Sequence, residues 1–173
     1  MLLIVLDDLF VKIFNELLAF MMEDSRNIRR ATSLVSICKH LERIGDQSMG
    51  IARRTRDVMK TDPIELPVDY AAMGECAGRM IRTSILALLE GDARIADTVH
   101  EMDDEIDRMN RTAHADLLKL IQEKPQYTQQ AMIGLMVSRS LERIADHAAN
   151  IAADVIFWIR GADVRHQLSL SMD

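Results

Sequence analysis

The hexapeptide Leu41-Glu42-Arg43-Ile44-Gly45-Asp46 recurs, one residue changed, as Leu141-Glu142-Arg143-Ile144-Ala145-Asp146, 100 positions later. The same ungapped shift pairs Leu6-Asp7 with Ile106-Asp107 and Glu16-Leu17-Leu18 with Asp116-Leu117-Leu118. It also pairs Glu23 with Glu123, Ala31 with Ala131, and Ile51-Ala52 with Ile151-Ala152. A register held without a gap over about 45 residues is the mark of duplication, so the chain is expected to fold as two related units.

Each unit is expected to be helical. Of 173 residues 49% are hydrophobic and only 4% aromatic, with 7 Gly and 3 Pro, a composition rich in helix formers and poor in turn formers. The 12 Met residues suit irregular gaps between helices. Periodicity and stop signals predict helices over 2–22, 26–60, 68–90, 93–124 and 126–160. Gly91-Asp92 supplies a stop and a cap, Pro125 a boundary, and Gly161 a final stop. The segment from Thr61 to Pro67 holds two of the three prolines and reads as the linker. The second unit, residues 63–173, then has three helices. The first, residues 1–62, has only the last two of them. A two-helix unit leaves an apolar groove open, and a homodimer that fills it is the expected remedy.

Net charge is -6, distributed unevenly. The stretch from Glu23 to Lys60 is locally basic, with Arg53, Arg54 and Arg56 near a predicted helix C-terminus, where cations offset the macrodipole. An acidic chain without interleaved aromatics excludes nucleic acid as the expected partner. Two cysteines fit neither a disulfide framework nor a metal spacing. Cys38, in an apolar run, is expected to be buried. The apolar start lacks a basic leader and is interrupted by Asp7, Asp8, Lys12 and Glu16, so neither a signal peptide nor a membrane span is expected. A soluble, cytoplasmic protein follows.

The repeated Glu-x-x-x-Asp places two carboxylates one above the other on a helix face. In the last helix Leu141, Ala145, Ala148, Ala152 and Val155 form the apolar stripe, and Glu142 and Asp146 lie well round from its centre. In the preceding helix the stripe is Ile95, Val99, Met102, Ile106, Met109, Ala113 and Leu117, and Asp103 and Asp107 lie on its flank, rotated in the same sense. The four acids are therefore expected on one outer groove between two antiparallel helices. The first-unit equivalents are Glu42, Asp46 and Asp7, with Leu3 where a further acid would stand. Carboxylates gathered this way repel one another and favour a cation. Oxygen donors without thiolates suit Mg, Mn, Ca or iron better than structural zinc. Asn150, and His100 on the Asp103 flank, are possible additions to the second site. No His carries a Glu three residues before it, which disfavours an oxygen-activating di-iron bundle. No phosphate loop or nucleophile elbow is present.

Two Leu-Glu-Arg-Ile-Gly/Ala-Asp motifs in a duplicated helical unit closely resemble the PhoU family, accessory regulators of bacterial phosphate uptake. Further likeness lies in the stretch from Phe20 to Arg26, in Asp104-Glu105-Ile106-Asp107, and in the stretch from Gly161 to His166. The resemblance implies an all-α fold of tandem three-helix bundles, the first lacking its first helix. It implies metal-ligand roles for Glu42, Asp46, Glu142 and Asp146, and for Asp7, Asp103 and Asp107, with iron or zinc as the metal and Mg, Mn or Ni as alternatives. It implies a non-enzymatic adaptor between a phosphate ABC transporter, at its ATPase subunit, and a sensor histidine kinase, reaching the membrane only through those partners. Gln47 departs from the family, which often has His after the Asp, as His147 does here. A carboxylate-metal hydrolase and a metal-free helical interaction module are the rival readings.

Overall fold

Capping residues punctuate the chain much as the sequence implies. The computed structural model describes residues 25–61 and 63–161. Within them α1 spans Ser25–Val58, α2 Tyr70–Glu90, α3 Ala93–Glu123 and α4 Thr128–Arg160, and no strand occurs among the described residues. The expected helix over 2–22, and with it Asp7, lies outside the described residues. Asp69 caps α2 by accepting from the Ala72 N–H at 2.9 Å, and Asp92 caps α3 by accepting from the Arg94 N–H at 2.8 Å. Gly91 (φ 62) and Gly161 (φ 71) close α2 and α4 in the left-handed conformation that glycine adopts without a Cβ clash. Pro125, which has no N–H to donate, starts a single 3-10 turn, Pro125–Tyr127, before α4. The expected last helix is therefore broken at its entry. The described residues of the linker are non-helical and lie between α1 and α2.

Helix α4 is the centre of the molecule and packs on α1, α2 and α3. Its sequence permits this. Gly134, Ala145, Ala148, Ala149, Ala152 and Ala153 keep its surface thin, so three helices can approach at once. A Cβ on Gly134 would stand 2.5 Å from the Tyr70 hydroxyl, so a larger residue there would have to displace that side chain. The two predicted stripes are core: Leu141, Ala145, Ala148, Ala152 and Val155 are buried, as are Val99, Ile106, Ala113 and Leu117. Met73 and Met80 fill gaps as expected, whereas Met49, Met59, Met132 and Met136 are exposed.

Among the described residues α1 packs on α4 alone. Its less exposed positions include Ser33, Ile37, His40, Ile44, Gln47, Ile51, Arg54 and Val58, which alternate four- and three-residue steps. That is the spacing of a two-helix seam. The helices run antiparallel: Ser33 Oγ donates to the Asp154 carbonyl at 2.9 Å, and further along α1 Arg54 Nη1 donates to Ser140 Oγ at 3.4 Å. Moving each residue by 100 exchanges His40···Asp154 for Arg54···Ser140, and both contacts exist. The duplication is thus visible as a pseudo-two-fold relation between α1 and α4. Cys38 is exposed rather than buried. The neighbouring Ile37 holds the seam position, and one residue of helix turns Cys38 about 100° away from it. No helix among the described residues is long and apolar enough to cross a membrane.

Candidate functional site

The antiparallel pair α3 and α4 brings the second-unit acids together. Asp103 and Asp107 rise from one face of α3, Glu142 and Asp146 from one face of α4, each pair a helical turn apart. Burial raises the Asp103 carboxyl to about 6, with Asp107, Asp146 and Asp104 adding repulsion. Burial raises Glu142 to about 7, and Asp146 and Asp107 push the same way against the opposing Arg139 and Arg143. Asp146 is raised by burial and by Asp107. The four carboxylates therefore feel one another across the groove, as the helical phase implied.

Glu142 is more enclosed than that phase implied. It is only 8% exposed, because α4 is wrapped by three helices and its flank is covered as well as its stripe. Its Oε1 lies 2.5 Å from Arg139 Nη1. Its Oε2 is buried with no hydrogen-bond partner among the described residues, as is Oδ1 of Asp103. Asp107 lies 3.8 Å from Arg111. His100 Nε2 is likewise buried without a hydrogen-bond partner among the described residues, and burial lowers this imidazole's pKa against the pull of Asp97. Asn150 donates to the Asp146 backbone carbonyl at 2.8 Å. A cavity of about 310 Å³ is lined by His100, Asp103, Asp146, His147 and Asn150.

Chemically the groove is a set of oxygen donors with unsatisfied lone pairs, which fits a hard cation in donor type. The positions are not those of a formed site: among the described residues no three His, Cys, Asp or Glu side chains converge closely enough to hold an ion. Coordination requires the acids to turn inward and Glu142 to leave Arg139. In α1, Glu42 and Asp46 are exposed, with Arg43 3.8 Å from Asp46. Among the described residues these two acids face no partner helix, since α1 meets only α4 and does so along its seam.

Sequence reasoning missed two features. One is Arg139, whose i,i+3 relation to Glu142 was legible in the chain. The other is a seam cluster: His40 Nδ1 lies 3.2 Å from His147 Nδ1, and His40 Nε2 lies 3.7 Å from Asp154 Oδ2. The seven-residue step from His147 to Asp154 places both on one face of α4, but only the packing of α1 brings His40 to them.

These features define a class: a duplicated all-α protein with a three-helix second unit and an acidic groove between its last two helices. The PhoU domain matches the chain twice, over residues 4–55 and 70–155. The chain belongs to the PhoU family. It is 37% identical over 139 residues to the phosphate-specific transport system accessory protein PhoU homolog of Pseudomonas putida, covering 77% of this chain and 54% of that one. The homolog of the same name from Aquifex aeolicus is 30% identical over 151 residues, covering 87% and 68%. Among solved structures, PhoU from Pseudomonas aeruginosa superposes with a TM-score of 0.79 at 29% identity, over 90% of this chain and 77% of that one. The chain spans about half the length of the Pseudomonas putida relative.

Proposed function

We propose that this protein is a metal-binding, cytoplasmic regulator of phosphate uptake and phosphate-starvation signalling, not an enzyme. It acts as an adaptor between a phosphate ABC transporter, at the ATPase subunit, and a sensor histidine kinase. Membership of a family whose members are named as accessory proteins of phosphate-specific transport supports the regulatory part. The observation that carries the metal part is the facing of Asp103/Asp107 and Glu142/Asp146, with buried oxygens of Asp103 and Glu142 left without hydrogen-bond partners among the described residues.

In this reading Glu142, Asp146, Asp103 and Asp107 hold a cation, iron or zinc first and Mg, Mn or Ni as alternatives. The bound ion would cancel the repulsion among the acids and lock α3 to α4. Arg139 holds Glu142 in the metal-free protein and is released when the ion binds. Glu42, Asp46 and Asp7 form the weaker first-unit set. The units divide at residues 62 and 63, and the functional form is a homodimer.

Elemental analysis of the purified protein, beside the double variant Glu142→Ala/Asp146→Ala, tests the metal assignment. Metal content should fall in the variant. Equal content in the two proteins would remove these residues from the site. The 310 Å³ cavity beside Asp103 and Asp146 is at the lower end of ligand-pocket sizes and favours a second reading, a carboxylate-metal hydrolase. Metal-dependent turnover of a phosphate ester that disappears in the double variant would establish that reading instead.

A further inference from the structure

The α1–α4 seam contains a histidine pair, one member of which, His147, also borders the cavity beside Asp103 and Asp146. The seam positions of α1 alternate between Ile37, Ile44, Ile51 and Val58 and the polar Ser33, His40, Gln47 and Arg54. At its middle, His40 and His147 meet with their Nδ1 atoms 3.2 Å apart. The rings are tilted by 44°, with centroids 5.4 Å apart, so they are not stacked, and the two nitrogens face each other. On the other side of His40, Nε2 points toward Asp154 Oδ2 at 3.7 Å, and Asp154 is only 2% exposed.

From these positions we infer that the seam holds a second metal site, a two-imidazole clip in which His40 Nδ1 and His147 Nδ1 bind one nitrogen-preferring divalent ion such as Ni, Cu or Zn. The geometry is suitable without rearrangement of the helices. Two nitrogens each about 2.1 Å from one ion stand about 3.0 Å apart at a right angle and about 3.4 Å apart at a tetrahedral one. The 3.2 Å separation falls between these values. A carboxylate beside the far nitrogen of a ligating histidine fixes its tautomer and raises its basicity. Asp154 stands on that side of His40, 3.7 Å from Nε2, and a proton on Nε2 would leave the Nδ1 lone pair for the ion beside His147.

Asp146 and Asp154 supply negative potential, while Arg43 and Arg143 oppose it at His147. Among the described residues no third ligating side chain is in place, and the two imidazoles are the ligands the proposal names. The ligand chemistry differs from that of the groove, nitrogen against oxygen, and since Zn and Ni suit both donor sets the two sites are told apart by disabling the groove acids. Because one histidine belongs to each repeat, the ion ties the first unit to the second.

The pseudo-two-fold relation supplies mild test variants. The residue equivalent to His40 in the second unit is Ser140, and the one equivalent to His147 in the first is Gln47. His40→Ser and His147→Gln therefore install residues that the same seam already accommodates. The full chain, stripped of metal, is titrated with Ni by calorimetry in the Glu142→Gln/Asp146→Asn background, where the groove has lost two of its charges. Ni binding should persist there, and each histidine variant should weaken it by on the order of tenfold or more. The Cu-loaded parent should show nitrogen hyperfine splitting from two imidazoles in electron paramagnetic resonance, and from fewer in either variant. Circular dichroism confirms that the variants are folded. Unchanged Ni affinity in both folded histidine variants, or no Ni uptake by a folded background protein, would overturn the clip and leave the pair as an N–H···N hydrogen bond. Neither result touches the acidic groove, whose own test is the metal content of the Glu142/Asp146 double variant.

Discussion

Replacing Glu142 by Gln should stabilise the metal-free protein at alkaline pH while abolishing groove binding. Glu142 is pushed from 4.5 up to about 7, first by burial and then by Asp146. With the folded-state value above the unfolded one, the folded protein binds more protons between them, and stability falls as pH rises through that window. The loss is complete above about pH 7 and absent below about pH 4.5. At about 1.4 kcal/mol per pH unit the full displacement corresponds to at most about 3.5 kcal/mol. Solvent screening at the groove and the lost charge-assisted contact with Arg139 reduce this to roughly 1–2 kcal/mol. For a chain of this size that is roughly 2–8 °C in melting temperature. Thermal unfolding in EDTA at pH 5 and pH 8, by circular dichroism, measures it. Glu142→Gln should melt several degrees above the natural protein at pH 8, with a flatter pH profile. An equal or lower melting temperature at pH 8, with an unchanged profile, refutes the account of a strained acidic groove.

Gly134→Ala should destabilise by about 1–3 kcal/mol in urea unfolding, because the new methyl meets the Tyr70 hydroxyl, Leu66 Cδ1 and Leu117 Cδ2 at 2.5, 3.2 and 3.3 Å. Neutrality there would mean that α4 and the linker do not cross so closely. Ile37→Ala removes a side chain that is 2% exposed on the α1–α4 seam and should cost about 2–5 kcal/mol by the same measurement. A loss below about 1 kcal/mol would show that α1 is not anchored through this residue.

The helices were largely legible in the chain because their signals are local. Asp69, Asp92, Gly91 and Gly161 act within a turn of where they stand, and the 3.6-residue period located the stripes later found buried. The entries to α2 and α4 lie later than expected, at Tyr70 behind the Asp69 cap and at Thr128 behind the 3-10 turn Pro125–Tyr127, and α1 ends at Val58 rather than at residue 60. Three of the four second-unit acids were placed correctly in kind, partly buried on a groove flank. The fourth, Glu142, was expected outside and is enclosed, since helical phase describes one helix and burial depends on how many others surround it.

The sequence by itself determined the duplication, the helical class and the acids that share a face, because register and periodicity are properties of a line of residues. Tertiary structure alone decided that α4 is central, that Glu142 is enclosed and its Oε2, like Oδ1 of Asp103, is buried without a hydrogen-bond partner among the described residues, and that Cys38 is exposed. It also decided that His40 of one repeat meets His147 and Asp154 of the other. These are contacts between elements as far as 121 residues apart. No local rule specifies them, because the direction in which α1 lies across α4 is set by the whole seam and by the small residues that let the helices approach.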